Sequence, residues 1–117
     1  MSVSKETLTS LAVAASAANE KLGENLVALD VSEPFALAEV FLMVSAKNDR
    51  QVLAISDAIQ EALQKVGVKA RFIEGREAAR WVLLDFGDLV VHVMHETERE
   101  FYSLERLWRD CPVVPVS

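Results

Sequence analysis

WVLLDFGDLVVHVM, residues 81–94, contains two short runs rich in Val, Leu, Phe and Trp, Trp81 to Phe86 and Leu89 to Met94, separated by only Gly87 and Asp88. A two-residue gap that includes Gly predicts a tight β-hairpin, because Gly accepts the positive φ such turns need. With those two residues as the turn the register follows: Phe86 faces Leu89, Leu84 faces Val91 and Val82 faces Val93, and on the alternate rungs Asp85 faces Val90, Leu83 faces His92 and Trp81 faces Met94. Side chains alternate across a strand, so the hairpin has two unlike sides. One carries Val82, Leu84, Phe86, Leu89, Val91 and Val93 and belongs against a core. The other carries Trp81, Leu83, Asp85, Val90, His92 and Met94, too apolar for a solvated face and too polar for a plain core face. That second side is the candidate functional surface.

Working outward, Ser4 is placed to cap a helix running to about Leu22, with Leu8, Leu11, Ala15, Ala18 and Leu22 on one stripe and Gly23 as its stop. Leu26 to Val31 reads as a strand ended by Ser32, Glu33 and Pro34. Val40 to Ala46, apolar on both faces, reads as a central strand. Asn48 or Asp49 then caps a helix with Val52, Ile55, Ile59, Leu63 and Val66 at three- and four-residue steps, stopped by Gly67. Val68 to Ile73 alternates and predicts a third strand, paired in parallel with the second through a right-handed crossover. Arg76 to Arg80 makes a helical turn before the hairpin. Beyond it, Thr97 and Glu100 have capping-box spacing for a last helix whose Phe101, Leu104 and Trp108 point inward, leaving Tyr102 and Glu105 free. The fold class is α/β, a mixed sheet of about five strands with flanking helices, forming one domain over residues 1–109. Pro112 and Pro115 predict a loose tail over 110–117.

The totals exclude several function classes. At 117 residues, 51% hydrophobic and 26% charged, the chain has the composition of an ordinary globular domain. A net charge of −6 and a pI near 4.9 argue against direct nucleic-acid recognition and for a basic protein partner. No apolar run reaches the roughly 20 residues of a membrane span. The single Cys111 forms no internal disulfide, which fits a reducing compartment, and the short apolar Leu11–Ala17 continues a helical period instead of forming a secretion signal, so a cytoplasmic location is expected.

Catalytic constellations are thin. Asp85 precedes the turn and Asp88 lies within it, where Asp is favoured for conformational reasons, and the two offer too few ligands for a metal. One Cys and two His do not make a zinc site. The four glycines all have cap or turn roles, so no phosphate cradle or cofactor motif is present. DFG at Asp85–Gly87 stands without the other kinase motifs. His92 and Asp85 lie diagonally on one face, and an acid/base pair between them is the enzymatic alternative. Another alternative is that this face serves homodimerisation alone.

Trp81 to Met94, followed by Glu100-Phe101-Tyr102-Ser103-Leu104-Glu105-Arg106-Leu107-Trp108, resembles the signature of the ribosomal silencing factor family, RsfS, also called Iojap. The likeness extends upstream through Ala28-Leu29-Asp30-Val31, Arg50-Gln51-Val52, Ile55-Ser56-Asp57 and Glu74-Gly75. It implies a small α/β domain remotely similar in fold to nucleotidyltransferases that is not an enzyme and needs no cofactor. It further implies a translational repressor that binds the large ribosomal subunit through ribosomal protein L-fourteen, blocks subunit joining when nutrients are scarce, and often forms a homodimer. By position the binding face would comprise Trp81, Leu83, Asp85, His92, Met94 and Tyr102, with Val90 between them on the hairpin face. Where the family has a Ser/Thr-Asp pair and a Gly around the second strand, this chain has Ala38-Glu39 and Ala46. The Gly-Ser loop and paired aspartates of nucleotidyltransferases are absent around Ser45 to Asp49.

Overall fold

In a computed structural model that describes residues 3–116, the chain runs α1 (Lys5–Glu20), β1 (Glu24–Asp30), β2 (Val40–Ala46), α2 (Asp49–Lys65), β3 (Phe72–Glu74), β4 (Trp81–Asp85), β5 (Leu89–His95), α3 (Glu96–Tyr102), α4 (Leu104–Leu107) and β6 (Val113–Val114). The strands form one mixed sheet in the order β3-β4-β5-β2-β1-β6. The hairpin has the register its sequence predicts, from Trp81 opposite Met94 to Asp85 opposite Val90. Gly87, the first turn residue, has φ +97°, and Phe86 N–H donates to the Leu89 carbonyl at 2.9 Å. β2 is buried along its whole length and pairs in parallel with β5, which makes it central, as its apolar character on both faces requires.

Pairing order departs from the expected crossover. β3 runs antiparallel to β4 at the sheet edge and does not touch β2, because the β4–β5 hairpin occupies the position between them. Of the expected strand over 68–73 only Phe72 and Ile73 lie in β3, and Val68 serves instead to end α2. Gly67 takes φ +84°, Gly67 N–H bonds the Gln64 carbonyl and Val68 N–H reaches back to the Leu63 carbonyl at 2.9 Å, the Schellman pattern. Val66, expected on the apolar stripe, is therefore an exposed cap, while Val52, Ile55, Ile59 and Leu63 are fully buried. Burying each contributes about 1.5–3 kcal/mol. The start of α2 is as expected, with Asn48 Oδ1 accepting from Gln51 N–H at 2.8 Å.

α1 ends in the same pattern with a different occupant. The left-handed residue is Leu22, φ +64° and 75% exposed, and Gly23 follows it because a Cβ there would lie 2.7 Å from Val44 Cγ1. The buried side of α1 is Leu11 with Ala14, Ala15, Ala17 and Ala18, so small side chains let α1 and α2 lie together on the sheet. These helices cover the face carrying Val82, Leu84, Leu89, Val91 and Val93. The tail, expected to be loose, runs along β1: Val113 and Val114 pair with Leu29 and Ala28, and Asp30 N–H donates to the Pro112 carbonyl at 2.8 Å. The sheet thus has six strands instead of about five.

The opposite face holds a second apolar cluster of Leu29, Val31, Ala38, Phe41, Met43 and Val90. Phe35 from the 31–39 loop and Trp108 close over it, with Phe41 meeting Phe35 and Trp108 edge-on at centroid distances of 5.3 and 5.6 Å. This cover reaches across β1, β2 and part of β5. Towards β4 and β3 the face is open.

Candidate functional site

The open part of the second face is built on β4. Trp81 and Leu83 are half-buried there, and the register sets Glu74 of β3 opposite Leu83 and Phe72 opposite Asp85, both exposed. Tyr102, at the end of α3 and 50% exposed, packs against Trp81 with ring centroids 4.9 Å apart and the rings tilted by 49°. Phe101 meets Tyr102 edge-on at 5.0 Å and is 78% exposed, so it extends the aromatic surface where an inward packing was expected. Ser103 explains the reversal. It adopts φ +47° and breaks the expected single helix into α3 and α4, so Phe101 no longer shares a face with Leu104 and Trp108, which do pack inward. The cap of α3 also differs: it is His95 instead of Thr97, with His95 Nδ1 accepting from Thr97 N–H at 3.1 Å.

Of the residues singled out, Trp81 and Leu83 on the hairpin and Tyr102 on α3 reach the surface, while Val90, His92 and Met94 lie beneath it, Met94 completely. Asp85 is only 8% exposed and is engaged within the fold. Its Oδ1 accepts from Gly87 N–H at 2.7 Å, which braces the hairpin turn, and its Oδ2 meets Arg71 Nη2 at 3.2 Å. His92 is 5% exposed; its Nδ1 accepts from Trp81 Nε1–H at 3.1 Å and its ring stands edge-on to Phe41 at 5.0 Å. Burial pushes the His92 imidazole down to about 4. The two members of the acid/base alternative therefore have other partners, Trp81 for His92 and the Gly87 amide with Arg71 for Asp85.

A second polar device holds α3 and α4 to the sheet. The buried Arg99 donates from Nη1 to Ser45 Oγ on β2 and from Nε to Glu105 of α4, both at 2.9 Å. Burial works to raise the Glu105 carboxyl, but the hydrogen bonding and charge of Arg99 together with a backbone hydrogen bond outweigh it and hold the group below its ordinary range. Arg99 was not among the sequence candidates, and its only signal was an arginine three residues before Tyr102 on a predicted helix. Glu98, likewise, is held low by the hydrogen bond that Arg80 Nε donates to its Oε2 at 3.1 Å. Among the described residues no group of three or more His, Cys, Asp and Glu is arranged to hold a metal, and no helix is long and apolar enough to cross a membrane.

With this geometry in place, comparison with known proteins identifies the family. Residues 4–117 match the family model described as ribosomal silencing factor during starvation. The chain belongs to the ribosomal silencing factor family. It is 42% identical over 103 residues to the ribosomal silencing factor RsfS of Bacillus subtilis, covering 88% of this chain and 87% of that protein. It is 41% identical over 112 residues to RsfS of Halalkalibacterium halodurans, covering 96% and 94%. A crystal structure of a Chromobacterium violaceum protein superposes with a TM-score of 0.85 at 32% identity, covering 92% of this chain and 87% of that one. The mixed α/β architecture is thus that of the RsfS family, whose description is regulatory, not enzymatic.

Proposed function

We propose that this RsfS-family chain represses translation in the cytoplasm under nutrient limitation by docking on the large ribosomal subunit through ribosomal protein L-fourteen, its bulk then blocking subunit joining. One observation carries the choice of surface: the sheet face opposite α1 and α2 is sealed by Phe35, Phe41 and Trp108 over β1 and β2 but left open over β4, where Trp81, Leu83, Tyr102 and Phe101 cluster. Large aromatic side chains supply contact area at small conformational cost, and they are the residues that dominate binding energies at interfaces. The net charge of −6 favours a basic ribosomal protein as partner, and exposed Glu74, beside Leu83 in the register, puts a carboxylate at the rim. Asp85, engaged by Arg71 and the turn, acts through the shape of the hairpin.

Co-sedimentation with isolated large and small subunits tests this reading. Wild-type protein is expected to pellet with large subunits only, and Trp81→Ala to bind them about 30-fold or more weakly, the ~2 kcal/mol typical of a buried aromatic anchor. Glu74→Lys is expected to slow association and reduce its salt sensitivity. Wild-type binding by Trp81→Ala refutes the assignment of the face, and no binding by the wild type refutes the partner.

A further inference from the structure

Trp81 is the centre of the proposed docking surface, and a Trp on an open sheet face has several rotamers available to it. Here its ring is held by two neighbours. Tyr102 packs against it at a tilt of 49° with ring centroids 4.9 Å apart, and its Nε1–H donates to His92 Nδ1 at 3.1 Å. The indole nitrogen can only donate, so Nδ1 must present its lone pair and the neutral imidazole carries its proton on Nε2. Nε2 is buried and has no hydrogen-bonding partner among the described residues. The imidazole itself has little room to move: Leu83 of β4 and Met43 of β2 stand beside it in register, and Phe41 lies against its ring.

We infer that His92 is a positioning residue for docking: without touching the partner, its Nδ1 fixes the indole of Trp81 in the orientation that the open face presents. The inference rests on the docking reading given above. A side chain already ordered in the free protein does not have to be ordered on binding, and the ordering of one such group is worth roughly a two- to ten-fold change in affinity. Burial keeps the imidazole neutral near pH 7, so the acceptor lone pair is present under the conditions of binding.

The test begins with the wild-type protein labelled with ¹⁵N, in which an N–H···N hydrogen bond gives a measurable nitrogen–nitrogen coupling between Trp81 Nε1 and His92 Nδ1. The resonance of Trp81 is assigned by its loss in Trp81→Phe. The coupling is expected, together with slow exchange of that indole proton. His92→Phe retains a ring but offers no acceptor, whereas His92→Asn places an amide oxygen near the position of Nδ1. His92→Phe is expected to move the Trp81 indole resonance upfield, speed its exchange and weaken binding to isolated large subunits two- to ten-fold, and His92→Asn to restore part of each. Absence of the coupling in the wild type overturns the inference even if neither variant folds. So does a folded His92→Phe that binds large subunits as the wild type does while Trp81→Ala does not, or one that loses binding with the indole signal unchanged. If wild-type protein shows the coupling but binds no large subunit, the docking reading falls and the docking role of His92 with it.

Discussion

Lowering the pH from about 7.5 to 5 should destabilise this protein through His92 in particular. The imidazole titrates at about 4 in the folded chain against 6.5 when unfolded, and burial is the cause. The folded state thus resists taking up a proton that the unfolded state accepts readily. The stability contributed by the neutral imidazole is complete above pH 6.5 and is lost as the pH falls towards 4. The shift corresponds to about 3 kcal/mol in all, of which integration of the linkage relation places about 2 kcal/mol between pH 7.5 and 5. Among the described residues no charged side chain contributes to the shift, whose cause is burial. Trp81 and Leu83 flank His92 on β4, Phe41 and Met43 on β2; Asp85, further along the same face, is engaged by Arg71 and the Gly87 amide, and Arg99 of α3 by Glu105. Glu98 and Glu105, both held below their ordinary value of 4.5, contribute stability that is lost at lower pH still. Urea titrations of wild type and His92→Phe at the two pH values isolate the effect. With a typical m-value near 2 kcal/mol/M, the wild-type midpoint should fall by about 1 M more than that of the variant. Equal falls in the two proteins would mean that His92 accepts a proton in the folded state, and would refute the burial argument.

Two glycines on positive φ separate steric contact from backbone strain. Gly75→Ala would put a Cβ 2.0 Å from the Trp81 carbonyl oxygen at φ +94°, whereas Gly87→Ala, at φ +97°, would meet nothing within 4 Å. The first should cost more than about 3 kcal/mol and the second about 1–2, measured by urea unfolding; equal costs would show that the Gly75 turn moves freely away from β4. Ile59→Ala, in the middle of the buried stripe of α2, should lose about 2–5 kcal/mol while leaving the Trp81 surface unchanged, and a loss under about 1 kcal/mol would argue that α2 does not seal that face.

The hairpin, the central strand and α2 were legible in the sequence because their signals are local. A period of two on either side of Gly87-Asp88 sets the register rung by rung, and steps of three and four from Val52 to Leu63 place one helix face on the core. What was misread depends on choices made at a distance. Whether β2 pairs with β3 or β5 is decided by which long contact buries more surface, and the ready-made hairpin, apolar along one entire side, outcompetes a three-residue strand. Gly23 looked like the left-handed residue ending α1, but its lack of a Cβ is needed for approach to Val44, and the left-handed turn falls to Leu22. The site was legible as a face but not in depth. Alternation says that Trp81, His92 and Met94 share a side; it does not say that Arg99 and Ser45 draw α3 down over the Met94 end, nor that the break at Ser103 turns Phe101 outward.

The two edges of the sheet bear on how a partner can approach. A strand-adding ligand needs a run of unpaired amides and carbonyls along an edge, and natural sheets discourage this with short, charged or proline-bearing edge strands. Here β3 is three residues long, with Glu74 within it and Arg71 just before it, and β6 is two residues long between Pro112 and Pro115. Neither edge offers a useful template. Over β4, by contrast, the exposed rings of Tyr102 and Phe101 from α3 adjoin the part-buried Trp81 and Leu83 of the strand itself. That division favours side-chain recognition over backbone pairing. On the docking proposal, the orientation of the Trp81 ring, bonded from beneath to a buried histidine, then matters more for affinity than any backbone hydrogen bond the sheet has left to give.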